Sequence, residues 1–432
     1  MKLTIKGGLI CVCSYFVASI FAQTTKEDMM MHIDQTASNY RAYSTDFKHQ
    51  TEPPKGYKPF YVSHYGRHGS RYHYSAIDFK NMLEILEKAD SANALTDLGI
   101  SVKNRFAAIY QDGKLKAGDL TQKGVEQHKG IARRMVKNCP MVFRGKAKIS
   151  AKSSTSVRCV LSMDAFCQEL KSINPELQIT NEASKRLMSY ICYEDKEDQN
   201  KRMNDTLWTR PFGDLHYKLI HPARMMSVLF KDKNYLDKNI DSVAFMRKLY
   251  DIHSSMQGMD SLNIDFSDVW TKEELFDNWR VQNAWWYANS GPCPLTLSKN
   301  PLLAKNLLQN ILNEAKKAVE GNGDDATLRF GHDMGILPLA SLMGMQGCDV
   351  KTTDLENLHK VWTDFRIIPM GANIQLIFYR HKRSGEVLVK ALLNENEVTL
   401  PLAGDKAPYY KWTDFYTYYS DIVSNIVQSN EN

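Results

Sequence analysis

Residues 60–73 read Phe60-Tyr61-Val62-Ser63-His64-Tyr65-Gly66-Arg67-His68-Gly69-Ser70-Arg71-Tyr72-His73. Phe60-Tyr61-Val62 is a short apolar run, which predicts a buried strand. The two glycines between Tyr65 and Ser70 predict that it ends in a loop. Two arginines and three histidines crowd the segment from Ser63 to His73. In open α/β sheets, ligands bind in loops at the carboxyl ends of strands. A neutral imidazole is a competent nucleophile and a guanidinium fork matches phosphate oxygens, so this loop suits phosphoryl transfer through a histidine. Gly69, without a Cβ, is expected to let the backbone approach an anion. His64 and His68 have the spacing of two zinc ligands on a helix, but no Glu follows His64 and the glycines oppose a helix, so no metal is assigned.

Outward from this loop, helical patterns fill much of 78–137, with Phe79, Met82, Leu83 and Leu86 at helical spacing. Lys146 to Ala151 reads as a second strand. Ser153 to Ser156 is expected to cap a helix running to about Leu170, with Val157, Val160 and Leu161 on one face. Leu177 to Thr180 is a candidate third strand. From about 185 to 320 the pattern turns helical and aromatic, and strands return at Ala326–Phe330, Ala372–Tyr379 and Glu386–Leu393. Tyr409 to Ile426 reads as a closing amphipathic helix. Strand–helix alternation at both ends around a helical middle predicts an α/β fold with a helical insertion. The expected division is 23–184 with 300–432 as one α/β catalytic domain, and 185–299 as an insertion forming part of a substrate pocket.

A second cluster lies far down the chain, Leu328-Arg329-Phe330-Gly331-His332-Asp333-Met334-Gly335-Ile336-Leu337-Pro338. It is another strand, glycine turn and helix start, with Pro338 expected in the first helical turn. His332 is a donor to an anion, and Asp333 is a general acid provided that its pKa is raised. Taken alone, a His-Asp pair is more commonly a capped turn.

The chain has 432 residues, with 55 Lys+Arg against 49 Asp+Glu and 24% charged residues. This composition excludes collagen, coiled coil and wholesale disorder. The net charge of +6 is mild and no run of five basic residues occurs, so no nucleic-acid partner is assigned. Lys2 and Lys6 precede the apolar stretch Leu9–Ala22, which ends in a small residue before polar Gln23. That pattern predicts a secretory signal peptide over 1–22, cleaved near Ala22, because the stretch is shorter than the roughly 20 residues of a spanning helix. The mature protein is then expected to be exported, periplasmic or extracellular, with no stable membrane insertion. Outside that segment Cys139, Cys159, Cys167, Cys192, Cys293 and Cys348 permit up to three disulfides, in pairings that sequence does not choose. Cys159 and Cys167 fall in a predicted helix, where buried thiols are the alternative.

Together the two clusters resemble the histidine acid phosphatase family, the larger-chain branch of the histidine phosphatases. Its motif R-H-G-x-R-x-P is matched by Arg67-His68-Gly69-Ser70-Arg71-Tyr72, with His73 in place of the usual Pro. Its His-Asp motif is matched by His332-Asp333, and Ser153 to Arg158 resembles a helix-leading segment ending in a third arginine. The resemblance spans roughly 58–400. It implies a phosphoglycerate-mutase-like three-layer α/β domain with a mainly helical insertion. It also implies that His68 is the nucleophile of a phosphohistidine intermediate and Asp333 the proton donor. Arg67, Arg71, Arg158 and His332 would hold the phosphate, with no metal or organic cofactor and a small phosphorylated molecule as the partner. Arg71-Tyr72, Leu392 to Glu395 and the overall length look most like the multiple inositol polyphosphate phosphatases and related phytases, although that group commonly has His-Ala-Glu where this chain has His-Asp.

The expected activity is therefore hydrolysis of inositol polyphosphates. A broad-specificity acid phosphatase acting on sugar phosphates or nucleotides is the enzymatic alternative. A catalytically silent phosphate-binding module is the alternative of another class, opposed by intact His68 and Asp333. Lys185, Arg186, Arg202, Arg210 and Arg224 are candidates to face a polyanion, a solvated face being the alternative. Trp279 to Tyr287 is either a lid or, as aromatics at helical spacing more often are, core.

Overall fold

The apolar run at 60–62 is the middle of strand β1 (Tyr57–Arg67), in a computed structural model that describes residues 26–192, 201, 204–259, 262–404 and 407–431. The segment 1–22 and Arg202 lie outside the described residues. The other strands are β2 (Lys148–Ser153), β3 (Gln178–Ala183), β4 (Ala326–Gly331), β5 (Asn373–His381), β6 (Val387–Leu393), β7 (Asn396–Glu397) and β8 (Tyr409–Lys411). They form one sheet in the order β3-β2-β4-β1-β5-β6-β7, with β8 added to β6. The β3, β2, β4 and β1 strands run parallel, whereas β5 is antiparallel to β1 and β6 to β5. The β1–β4 register pairs Val62 with Ala326 and Arg67 with Gly331. Two segments some 260 residues apart in sequence thus end side by side at the carboxyl edge of the sheet.

The alternation of strand side chains explains the layers. On one face Val62, Ile149, Leu328, Phe330 and Ile377 meet Ile131, Met135, Phe166 and Leu170, which project from α3 (Gln122–Asn138) and α4 (Val157–Ile173). On the other face Tyr61, Tyr65, Ile374, Leu376 and Val389 share a core with α1 (Ala76–Ser91), α2 (Asp97–Gly113) and a long helical stretch. That stretch comprises α5 (Thr206–Leu219), α6 (Ala223–Leu229), α7 (Lys233–Asn239), α8 (Ser242–Ser255) and α9 (Lys272–Ser290). It is followed by α10 (Lys305–Val319) and α11 (Asp333–Leu342), and α12 (Trp412–Glu431) closes the chain. Side-chain caps set several helix starts. Thr96, Thr121 and Asp241 each accept from a backbone N–H three residues on, and Thr271 with Glu274 forms a complete capping box for α9. Among the described residues no helix is long and apolar enough to cross a membrane.

Several expectations change. Val157 and Leu161 are exposed on α4, whose buried face is instead Cys159, Met163, Phe166, Cys167 and Leu170. The spacing of that set turns the helix so that its polar start faces the carboxyl edge. Pro338 lies inside α11, beyond its first turn, where it removes one helical N–H. Tyr409–Lys411 is a strand and the last helix starts at Trp412. Trp279 and Tyr287 are fully buried in α9, so this segment is core and not a lid. Among the described residues Cys139, Cys159, Cys167, Cys293 and Cys348 are free thiols, and burial pushes the pKa of Cys139, Cys167 and Cys348 up to about 12. Protein denatured without reductant is therefore expected to show these five thiols as titratable, with the same melting temperature whether or not reductant is present; failure of any of the five to titrate would restore a disulfide.

Candidate active site

Arg67 is the last residue of β1 and has no solvent exposure. Its Nη1 donates to the carbonyls of Asn39 at 2.5 Å and Ile368 at 2.6 Å, while Nη2 lies 2.8 Å from Asp333 Oδ2. Among the described residues the Nε and Nη2 groups have no aligned acceptor. The next residue, His68, is pinned through its backbone, its N–H donating to the Gly331 carbonyl at 3.0 Å and its own carbonyl accepting from Gly371 at 2.9 Å. Its Nδ1 lies 2.9 Å from the Gly69 carbonyl. A carbonyl only accepts, so Nδ1 carries the proton in the neutral ring and Nε2 keeps its lone pair. Burial, followed by the charges of Arg67 and Arg71, holds the imidazole well below its usual pKa, so it stays neutral in mildly acidic solution.

The backbone amides of the loop after His68 do not form an anion nest. Gly69 N–H donates to Ser162 Oγ at 3.1 Å, Ser70 N–H to Gln127 Oε1 at 2.8 Å and Tyr72 N–H to the Asp119 carbonyl at 2.9 Å. Gly69 is needed for a different reason from the one the sequence suggests. A Cβ there would lie 2.5 Å from the Gly124 carbonyl oxygen, and one on Gly124 would lie 2.3 Å from that of Ser70. The two glycines let the loop lie directly on the first turn of α3. Anion binding is left to side chains.

Those side chains converge from three elements. Arg71 is buried, stacks over the Tyr40 ring at 5.0 Å and leaves its Nε without a partner among the described residues. Arg158, in the first turn of α4, places Nη2 3.5 Å from His332 Nδ1, and its Nε is also without a partner among the described residues. His332 N-caps α11, and its ring meets that of His68 edge-on with centroids 5.7 Å apart. Burial, then Arg158, brings its pKa down to about 4. The Ser154 and Ser156 hydroxyls, expected to cap α4, instead lie 3.1 Å and 3.4 Å from His332 Nε2, and Ser156 makes no side-chain cap.

Asp333 departs from the expectation. Burial alone would push its carboxyl up, but Arg67, His332, a hydrogen bond from Asn39 and Arg71 outweigh that and hold it below the usual carboxylate value. Without a ligand it is an anion.

The other candidates lie elsewhere. His64 is a core residue packed against Phe166 and Phe330, with its pKa lowered to about 3 by burial and the neighbouring His128. Arg186 and Arg224 are exposed and pair with Glu182 and Glu274. Lys185 and Arg210 are exposed. His73, in the place of the motif proline, is fully buried, 3.0 Å from Asp78 Oδ2 and 3.8 Å from Asp251 Oδ2. These three residues are spaced closely enough to share one cation, but Lys248 Nζ, 3.0 Å from Asp78 Oδ2, already supplies a positive charge there. The segment Ile33–Tyr40, unremarked in the sequence, supplies Asn39 and Tyr40 to the site.

Residues 65–394 match the histidine phosphatase superfamily (branch 2). The chain belongs to this family. It is 21% identical to multiple inositol polyphosphate phosphatase 1 of Gallus gallus, over 83% of this chain and 81% of that protein. With the Homo sapiens protein of the same name it shares 22% identity, over 79% and 73%. Among solved structures, the Bifidobacterium longum multiple inositol polyphosphate phosphatase in complex with inositol hexasulfate superposes with a TM-score of 0.74 at 19% identity, covering 88% of this chain and 96% of that one. The phytase from D. castellii gives 0.64 at 16% identity, covering 94% and 88%. These likenesses bear out the α/β fold with its many helices.

Gly69→Ala is expected to lower the melting temperature, since overpacking typically costs about 1–3 kcal/mol. It should also cut phosphatase activity at least about 10²-fold by displacing His68. Unchanged activity in that variant would show that the loop does not depend on its seat against Gly124.

Proposed function

We propose that the protein is an exported phosphomonoesterase that hydrolyses inositol polyphosphates of the phytate type through a phosphohistidine intermediate. The observation that carries the reaction class is the convergence of three guanidinium groups with unpartnered N–H groups on one neutral imidazole. Arg67, Arg71, Arg158 and His332 grip the phosphoryl oxygens and neutralise the charge that builds on them. His68 Nε2 attacks phosphorus, and the bond to the leaving oxygen breaks as Asp333 gives that oxygen its proton. The Asp333 carboxylate then takes a proton from water, whose oxygen displaces the phosphoryl group from His68 and releases inorganic phosphate. No cofactor enters these steps.

Asp333 begins as an anion, so its proton arrives with the substrate. A bound phosphoryl group adds negative charge beside the carboxylate, which favours its protonated form. Substrate class rests on the inositol polyphosphate phosphatases and the phytase named among the relatives. We take residues 23–184 with 300–432 as the catalytic unit and 185–299 as an insertion bordering the pocket. Export rests on the leader-like pattern at 1–22.

Phosphate release from phytate and from p-nitrophenyl phosphate tests the mechanism. His68→Ala should fall to the enzyme-free rate. Asp333→Asn should lose about 10²–10⁴-fold with phytate. It should lose less with p-nitrophenyl phosphate, whose leaving group departs without a proton. Activity surviving His68→Ala would sink the mechanism, and turnover of p-nitrophenyl phosphate with none of phytate would remove the substrate assignment.

A further inference from the structure

The turn at Ser38–Tyr40 comes from the amino-terminal side of the fold, outside the motifs of the family resemblance, yet it touches both halves of the site. Asn39 Nδ2 donates to Asp333 Oδ2 at 3.1 Å, and the Asn39 carbonyl accepts from Arg67 Nη1. The adjacent Tyr40 ring lies under Arg71, with its hydroxyl 3.4 Å from His73 Nδ1. The turn is held under strain. Ser38 sits at φ 56°, in the left-handed region that a non-glycine residue adopts at a cost. It is fixed there by a hydrogen bond from its hydroxyl to Asp364 Oδ2, and Asp364 is fully buried. The other oxygen of Asp364 accepts from Trp279 Nε1 at 3.0 Å and from the Phe365 N–H at 2.7 Å. A chain of contacts thus runs from the core helix α9 through Asp364 and Ser38 to Asn39.

We infer that Asn39 is a positioning residue for the acid: its side-chain amide fixes Asp333 Oδ2 while its carbonyl fixes Arg67, so one strained turn aligns the proton donor with the phosphate clamp. This inference rests on the reaction proposed above. The two Asp333 oxygens have different roles. Oδ2 meets both Asn39 and Arg67, whereas among the described residues Oδ1 accepts only the Met334 N–H, at 2.9 Å. The Asn39 bond therefore leaves Oδ1 as the oxygen that carries the transferable proton. The titratable groups facing Asp333 are Arg67 and Tyr65 from β1, Arg71 from the loop, Cys159 from α4 and His332 from its own turn. A donor to a carboxylate favours the charged form, so removing it makes the acid easier to protonate.

The test is the pH profile of kcat/KM for wild type, Asn39→Ala and Asn39→Asp with phytate, whose alkoxide leaving oxygen needs the proton, beside inhibition by inorganic phosphate. A general acid must be protonated to act, so the limb on which activity falls with rising pH follows Asp333. Asn39→Ala should move that limb upward by roughly one pH unit, and Asn39→Asp further, because a second carboxylate opposes ionisation of the first. Both variants keep the backbone carbonyl that holds Arg67, so inhibition by phosphate should stay within about threefold. A limb that stays in place in folded Asn39→Ala, with activity merely reduced, would overturn the inference while leaving the phosphohistidine mechanism intact. Absence of His68-dependent phosphate release in wild type would overturn both. If Asn39→Asp fails to fold, the Asn39→Ala comparison decides alone.

Discussion

The buried ion pair between Arg67 and Asp333 is the constraint on which the site depends. Arg67 ends β1 and Asp333 starts the helix after β4, two strands that lie parallel and adjacent. Taking two charges out of water costs several kcal/mol per ion, and the attraction offsets this only when further hydrogen bonds complete the geometry. The Asn39 amide and the carbonyls of Asn39 and Ile368 supply those bonds. The charge balance is deliberately incomplete, because Arg67, Arg71 and Arg158 face a single carboxylate and two neutral imidazoles. Two positive charges are left unmatched, the complement of a phosphate dianion. Burial, aided by the same positive field, keeps His68 and His332 uncharged, and the field holds Asp333 ionised against the effect of burial, so the site is poised before a ligand enters.

The helical layer contributes less through its surface than through its interior. Trp279 is a core residue, but its indole N–H reaches Asp364, which anchors the Ser38 turn. Burial raises the Asp364 pKa to about 6, so that anchor is itself sensitive to mildly acidic solution. The exposed Arg186 and Arg224 pair with carboxylates near them, whereas Arg67, Arg71 and Arg158 gather at the carboxyl edge of the sheet. The free thiols fit the same economy. They are mostly buried and raised in pKa, which makes them poor nucleophiles, and the packed layers do not rely on covalent bridges.

Much of this was legible in the sequence where local pattern decides structure. Strand-then-glycine signals located β1 and β4, and the spacing of Phe79, Met82 and Leu86 located α1. Their chemistry-bearing neighbours, His68 and His332-Asp333, followed from those two strands. What escaped depends on contacts between distant segments. Asn39, Tyr40 and Asp364 have no local signature, and only the folded chain brings them to Arg67, Arg71 and Ser38. Gly69 was recognisable as special, but its reason is the backbone of Gly124, 55 residues further on, and not an anion. The apolar residues Val157 and Leu161 misled because the buried face of α4 is set by Phe166 and Leu170 meeting the sheet.

The most direct test of the central claim is rapid acid-free quenching of the enzyme during turnover, followed by peptide mapping of the trapped phosphoryl group. The expected result is an acid-labile phosphoramidate on the peptide containing His68, formed within the first turnover and absent from His68→Ala. Rapid phosphate release from wild type with no phosphoryl group on His68, or with one on another residue, would contradict it.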